Sequence, residues 1–376
     1  MNCSSEPDRT PSAPKAEEER YVASQWQLMW WKFRDHKLAF FSMWVVFLFY
    51  AVAIFCEPLA PNDPTRRNAR RPYAPPQRIH LFHEGHLRWP FVYDMQRHKH
   101  PETLRLNYPE DRSRPLSIQL FVKGDPYRLW GVIPMDRRLI GLEGGARLYL
   151  MGADKLGRDL YSRILHGSRI SLFIGLVGVF ISLVLGVIIG GISGFYGGMI
   201  DALIQRSIEV IKSFPTIPLW LALAAAIPPD WPQTLQYFCI TVILALVGWT
   251  SLAREVRGKF LSLREEDYVM AAKVSGVKEF NVIIRHLVPG FVSHLLVSVT
   301  IAVPFMILGE TSLSFLGLGM RPPAISWGVL LHDAQNINAI VLYPWLLLPA
   351  AFVIVAVLMF NFLGDGLRDA ADPYKN

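Results

Sequence analysis

The chain has 376 residues, of which 52% are hydrophobic and only 18% are charged, and its formal net charge is +7. Soluble domains carry about 25% charged residues, so this composition indicates a membrane protein. The basic residues are spread along the chain without a nucleic-acid-binding motif, which argues against nucleic acid as a partner. Cys3, Cys56 and Cys239 are too few and too scattered for a disulfide framework or a metal site.

Residues 1–36 are polar, contain proline and are predicted to form a disordered cytoplasmic tail. They lack the short apolar core of a cleavable signal, so the first apolar run is expected to stay as a transmembrane helix. A bilayer core about 30 Å thick needs about 20 apolar residues of helix, and this criterion predicts an all-α polytopic membrane protein with about six transmembrane helices. The five clearest spans lie at 37–56, 170–194, 235–253, 291–308 and 343–364.

The third span is the least regular of the six. The apolar run WLALAAAIP is too short to cross a bilayer at about 1.5 Å per residue. It must extend backward through SIEVIKSFPTIPL and accept Glu209, Lys212, Pro215 and Pro218 near its start. We therefore predict one span here, with a bend at Pro218.

Lysine and arginine in the short loops predict the orientation of the spans. They are frequent before the first span and after the fourth, and the loop after the third span has none. Because such residues favour the cytoplasmic side, the loop 254–290 and both chain ends, including the tail 365–376, are expected to be cytoplasmic.

Residues 57–169 then form an external segment between the first two spans. Aromatic and β-branched residues alternate here between prolines and glycines, which predicts short strands in a mixed or β-rich insertion. Its histidines match no recognised ligand spacing, so surface or core positions are favoured over metal binding. These histidines are His80, His83, His86, His98 and His100.

Small and acidic residues inside the apolar runs leave two questions open. Gly186, Gly190, Gly194 and Gly198 recur every four residues, which favours close helix packing within the subunit over a contact between subunits. Glu310, at the end of the fifth span, is either a functional acid or a side chain hydrogen-bonded at the membrane edge.

Motifs for chemistry are missing from the sequence. It contains no phosphate-binding G-x-x-x-x-G-K-[ST] loop, no H-E-x-x-H helix and no G-x-S-x-G elbow. The chain is therefore expected to bind no cofactor and to catalyse no reaction itself.

The most informative polar segment is 265–290, between the fourth and fifth spans. Its acidic start suits a helix N-terminus, and Gly276 is expected to end that first helix. A second amphipathic stretch follows, with Phe280, Ile283 and Leu287 on one face, and Pro289 precedes the fifth span. We predict two short helices at the cytoplasmic membrane surface.

This loop resembles the EAA loop of bacterial ABC-importer permeases. Ala271, Ala272, Gly276 and Pro289 match its pattern, whereas Met270 replaces the usual glutamate. Three further segments are similar to those of the dipeptide and oligopeptide permeases, specifically the C-type subunit: MGADKLGRDLYSRILHGSRISL (151–172), SLSFLGLGMRPPAISWGVLL (312–331) and FNFLGDGLRDAADP (360–373).

The resemblance implies the type I, MetI-like permease fold, with the permease domain at 170–364 and the external insertion added. It implies a non-catalytic subunit of the bacterial inner membrane that forms half of a translocation pore. Its partners would be a second, B-type permease subunit, two cytoplasmic ATPase subunits that bind ATP, an external solute-binding protein and membrane lipid. The expected cargo is oligopeptides or dipeptides, with oligosaccharides, opines or nickel as the alternative.

The resemblance also implies that the EAA helix docks on an ATPase. The residues expected at this coupling interface are Asp267, Met270, Ala271, Ala272, Gly276, Arg285 and Pro289. A membrane anchor or receptor that acts through its outer segment is a different class of function, and the specific cytoplasmic loop argues against it.

Overall fold

The computed structural model describes residues 25–83, 86–99, 101–102 and 106–371 of the chain. Helices dominate, and a β-sheet is inserted between the early helices. The helices are α1 (Gln25–Asp35), α2 (Lys37–Ile54), α3 (Cys56–Leu59), α4 (Leu160–Tyr196), α5 (Gly198–Ser213), α6 (Thr216–Ala225), α7 (Gln233–Leu263), α8 (Asp267–Val274), α9 (Glu279–Val282), α10 (Val292–Phe315), α11 (Trp327–His332), α12 (Ile337–Leu342) and α13 (Leu348–Ala371).

The disorder predicted for the N-terminal tail is wrong for part of its length. Residues 1–24 lie outside the described residues, but α1 occupies most of the remainder. Met29 and Phe33, four residues apart, are buried, and Phe33 packs with Ala39 of α2 and Ala370 of α13. This burial holds α1 against the bundle. At the other end of the chain, α13 continues to Ala371 and so includes the first part of the predicted C-terminal tail.

Within the part of the chain that the structure describes, five helical segments are long and apolar enough to cross a membrane, and the bent pair α5–α6 brings the number to as many as six. The helix α4 begins at Leu160, ahead of the predicted start of the second span at 170, because the Asp159 carboxylate caps it by accepting from the Tyr161 and Ser162 amides. The third span is not one helix: α5 and α6 meet at 84°. Phe214 is extended because Pro215 follows it, so the helix breaks there and not at Pro218.

The predicted β-rich insertion is present. Its main sheet is antiparallel in the order β1 (His80–His83), β2 (His86–Met95), β5 (Glu110–Leu129) and β6 (Ile133–Leu142), beside a small pair of β3 (His98–Lys99) and β4 (Leu106–Asn107). His83 Nδ1 lies 3.1 Å from the Tyr93 hydroxyl. Among the described residues, no three His, Cys, Asp or Glu side chains are grouped as metal ligands.

Glycines on α4 allow very close packing against α7. A Cβ atom added to Gly190 would lie 2.4 Å from the Ala253 carbonyl oxygen, and Gly186 and Gly194 approach α7 similarly. The predicted packing within the subunit is thus confirmed for these three residues. Gly198 is different: it lies beyond the end of α4 with a φ of +57° and open space around it.

Glu310 lies in the last part of α10 and is fully buried inside the protein. Its carboxylate accepts hydrogen bonds from Ser171 of α4 (3.1 Å) and Ser314 of α10 (2.7 Å). Ser171 in turn accepts from the Trp327 amide at the start of α11, at 3.1 Å. Glu310 therefore fastens three elements together inside the bundle.

Ion pairs hold the segment that precedes α4 in place. Asp154, itself buried, accepts from Arg158 Nε at 2.6 Å and pairs with the buried Arg163. Lys155 reaches Asp333, which follows α11, at 2.8 Å. The segment that resembles the permease pattern thus ties the start of α4 to the far part of the chain.

Candidate functional site

The loop 254–290 begins within α7, which continues to Leu263, and then contains the first predicted short helix as α8. The second predicted helix is present only as the single turn α9, followed directly by a π-helical turn at Ile283–Leu287. Gly276 ends α8 with a φ of +74°, a left-handed conformation that favours glycine. The Val277 amide donates to the Ala272 carbonyl oxygen at 3.2 Å, which is the hydrogen bond of a Schellman C-cap. The spacing of Ala272 and Gly276 in the sequence pattern therefore corresponds to the last turn of α8 and the glycine that caps it.

One face of α8 is inward and the other is free. Val269 is fully buried and Ala272 is 9% exposed, whereas Met270 is 50% and Val274 87% exposed. Ala271 is also exposed. Ala272, expected at the interface, thus lies on the inward side, which the sequence pattern alone did not distinguish from Ala271.

The inward face of α8 packs into an apolar cluster that we call the loop cluster. It joins α8 and the turns after it to the end of α4, the last part of α7 and the start of α10. Its buried members are Phe195, Val256, Phe260, Val269, Ala272, Val282, Leu287, Phe291 and Leu295. A displacement of α8 would therefore be passed directly to three spanning helices.

The other expected interface residues are spread over the loop. Asp267 begins α8 and is exposed, and Arg285 is exposed in the turn after α9. Pro289 lies in the 3₁₀ turn Val288–Phe291 that leads into α10. Asp267, Met270 and Ala271 thus lie on α8 and Gly276 follows its end, whereas Arg285 and Pro289 lie in the turns that lead to α10.

An ion pair beside the loop was missed by the sequence analysis. Arg257 of α7 donates through Nε and Nη2 to the two carboxylate oxygens of Asp201 in α5, both at 2.5 Å. Ser193, near the end of α4, also donates to Asp201. Asp201 and Arg257 are 56 residues apart in the sequence, so their spacing gave no signal that they pair.

An open cavity of about 680 Å³ lies between α5–α6, α7, α10 and α13. Apolar residues such as Phe305 and Met306 line one part of it, and Lys212 and Glu255 line another. The Lys212 ammonium donates to Ser251 at 3.1 Å, and Ser298 donates to Glu255 at 2.5 Å. The cavity therefore offers both apolar surface and opposite charges to a solute.

Comparison with known proteins places the helical part in one family. Residues 170–375 match the binding-protein-dependent transport system inner membrane component, and residues 24–76 match the N-terminal TM domain of oligopeptide transport permease C. The chain is 39% identical to the oligopeptide transport system permease protein OppC of Bacillus subtilis, over 59% of this chain and 70% of that protein.

A second relative extends the similarity. The dipeptide transport system permease protein DppC of Lactococcus lactis is 32% identical over 93% of this chain and 91% of its own, a length that includes most of the β-rich insertion. Among solved structures, a chain of the MetNI methionine ABC transporter in an inward-facing conformation aligns at 16% identity. That alignment has a TM-score of 0.44 and covers 56% of this chain and 97% of the other.

Proposed function

Because the chain belongs to the family of binding-protein-dependent transport system inner membrane components, we propose that it imports oligopeptides or dipeptides as one permease subunit of an ATP-driven transporter. The names of the relatives, oligopeptide and dipeptide permeases, support this cargo. The subunit is a non-catalytic multi-pass protein of the inner membrane, and both its termini and the loop 254–290 face the cytoplasm.

The observation that carries the proposal is the two-sided α8. Its exposed side, with Met270, Ala271 and Val274, is a free apolar surface for an ATPase subunit. Its buried side belongs to the loop cluster. Docking on one side would thus move the spans through the other, and Met270 contributes an adaptable apolar contact where a glutamate is usual.

The 680 Å³ cavity supports a role in the passage of solute. We assign it to this subunit's half of the pore, which a second, B-type permease subunit would complete. Two ATPase subunits bind and hydrolyse ATP, and an external solute-binding protein delivers the cargo. This chain itself binds no cofactor.

A tryptophan at position 271 tests the docking surface. Ala271→Trp should leave the fold intact because the side chain is exposed, yet it should block ATPase docking and abolish peptide uptake. Ser262→Trp, at an exposed position near the end of α7, is the matched control and should retain uptake. Co-purification of the ATPase and uptake of a labelled peptide are measured in parallel. Normal uptake by the Ala271→Trp variant would contradict the coupling role.

The alternative cargo is oligosaccharides, opines or nickel, carried by the same machinery. Ligand identification on the cognate solute-binding protein separates these possibilities. A binding protein that holds peptides supports our proposal, and one that holds only another class of solute would refute the peptide assignment while leaving the coupling mechanism untouched.

A further inference from the structure

The hairpin formed by β5 and β6 ends in a short turn of unusual composition. The strands pair up to Leu129 and Ile133, and three residues connect them. Trp130 and Gly131 have φ values of +52° and +76°. A bulky side chain is rarely found in this left-handed region, so the turn holds Trp130 in a conformation that its backbone disfavours.

This turn is fastened to the end of the first span. Trp130 Nε1 donates to the Ile54 carbonyl oxygen at 3.0 Å, and the Trp130 ring centroid is 5.8 Å from that of Phe55. Ile54 is the last residue of α2, an apolar span. Because the end of a spanning helix marks the boundary of the bilayer, the turn lies at that boundary.

The turn also exposes apolar side chains. Val132 is 77% exposed, Trp130 52% and Ile133 47%. The exposed Arg128 and Arg137 lie behind them on the two strands. An aromatic and aliphatic tip followed by arginines is typical of a segment at the membrane interface, where the tip is buried among lipids and the guanidinium groups reach the phosphates.

We propose that residues 129–133 form a lipid-binding tip, which inserts into the interfacial layer of the bilayer beside α2. Phospholipid is the occupant because the turn contacts the end of a membrane span. This tip then attaches the β-rich insertion to the membrane in addition to its covalent connections to α2 and α4. The proposal concerns the insertion alone and does not depend on the cargo or on the ATPase.

The test uses a fluorophore at the tip. Cys3, Cys56 and Cys239 are replaced, and Val132→Cys is labelled with a polarity-sensitive dye. The labelled chain is assembled with its second permease subunit in vesicles of phosphatidylethanolamine and phosphatidylglycerol. Emission is measured with spin-labelled lipids and, separately, with aqueous iodide.

We expect a blue-shifted emission that spin-labelled lipid quenches and that iodide does not. Ile133→Cys gives a second reading of the same tip. Leu120→Cys is the matched control: it is an exposed apolar position farther back on β5, about 30 Å along the strand at 3.3 Å per residue. Its label should be quenched by iodide and not by lipid.

Two results would overturn the proposal. Quenching of the Val132 label by iodide would show that the tip is in water. Protection from iodide without quenching by lipid would show that a protein covers the tip, either the second permease subunit or an added solute-binding protein.

Discussion

Gly276 illustrates how a single backbone conformation can define the proposed docking helix. Its φ of +74° closes the α8 cap, and an added Cβ would meet none of the described atoms within 4 Å. A substitution at Gly276 therefore acts through the backbone conformation, because a new Cβ would clash with none of the described residues.

We predict that Gly276→Ala destabilises the end of α8 by about 1 kcal/mol and lowers peptide uptake, because an L-residue is disfavoured at positive φ. Gly276→Asn should lose less, since asparagine tolerates this conformation better. Hydrogen exchange of the α8 amides and uptake of a labelled peptide measure the two effects. Equal uptake by wild type and both variants would show that the cap is not needed for coupling.

Glu310 differs from Gly276 because its side chain makes contacts with other residues. All of the contacts described for it lie inside the helical bundle. Ser171 and Ser314 donate to its carboxylate inside the bundle. The structure therefore supports a structural role for Glu310. An experiment can distinguish this role from the functional role that the sequence left open.

We predict that Glu310→Gln stays close to wild type in stability, because the amide oxygen still accepts a hydrogen bond. Glu310→Ala should lose about 1–3 kcal/mol, since the serine hydroxyls lose their acceptor. Thermal unfolding in detergent distinguishes the variants. If Glu310→Gln folds normally but does not transport, the negative charge itself is required.

At the scale of elements, the start of α4 gives a prediction about pH. Burial raises the pKa of Asp159 from its ordinary value of 3.8 to about 6, although Ser162, Asn62 and the helix amides oppose this by donating to it. Between these two values the folded chain binds more protons than the unfolded chain. The Asp159 contribution to the free energy of unfolding must therefore fall as pH rises through this window and stay constant above it.

We predict that Asp159→Asn removes this dependence, because asparagine can cap the helix without titrating. The change for the wild type is about 3 kcal/mol at 1.36 kcal/mol per pKa unit. The difference in unfolding midpoint between wild type and variant, followed from about pH 4 to about pH 7, isolates Asp159 from the other carboxyl groups. A difference that is constant over this range would contradict the raised pKa.

The elements themselves differ in how far the sequence predicts them. Five spans follow from apolar length alone, because a bilayer demands it. The helix breaks at Phe214, before Pro215, and not at Pro218. Hydropathy does not distinguish between these two prolines. The sequence predicted that the insertion contains strands, but it did not predict their order. That order depends on pairings such as Ile118 with Leu142, which are set by tertiary packing.

The candidate site was predictable to a similar extent. The resemblance located the loop, and Gly276 indicated where α8 ends. The inward position of Ala272 could not be predicted, because Ala271 and Ala272 are chemically identical and only the loop cluster determines which one faces inward. The pairing of Asp201 with Arg257 joins distant parts of the sequence, so it also required the fold.

At the scale of the whole molecule, the Asp201–Arg257 pair connects the broken span to the helix that leads into the loop. Arg257 contacts both carboxylate oxygens of Asp201, and Ser193 adds a contact from α4. A bidentate, charge-assisted pair fixes orientation as well as distance. If docking on α8 moves the end of α7, this pair should carry that movement to α5 and to the cavity that Lys212 of α5 lines.

We predict that Asp201→Asn and Arg257→Ala each reduce the amount of peptide transported per ATP hydrolysed, while ATPase subunits still bind because the α8 surface is unchanged. Each variant should lose about 2 kcal/mol of interaction between the helices, the usual value for hydrogen bonds to charged groups. The exchanged double variant, Asp201→Arg with Arg257→Asp, should recover part of the coupling because it restores opposite charges. Arg206→Ala is the control, since Arg206 pairs with Glu209 on the exposed side of the same helix. Coupling that is unchanged in both single variants would mean that the loop cluster alone transmits the movement.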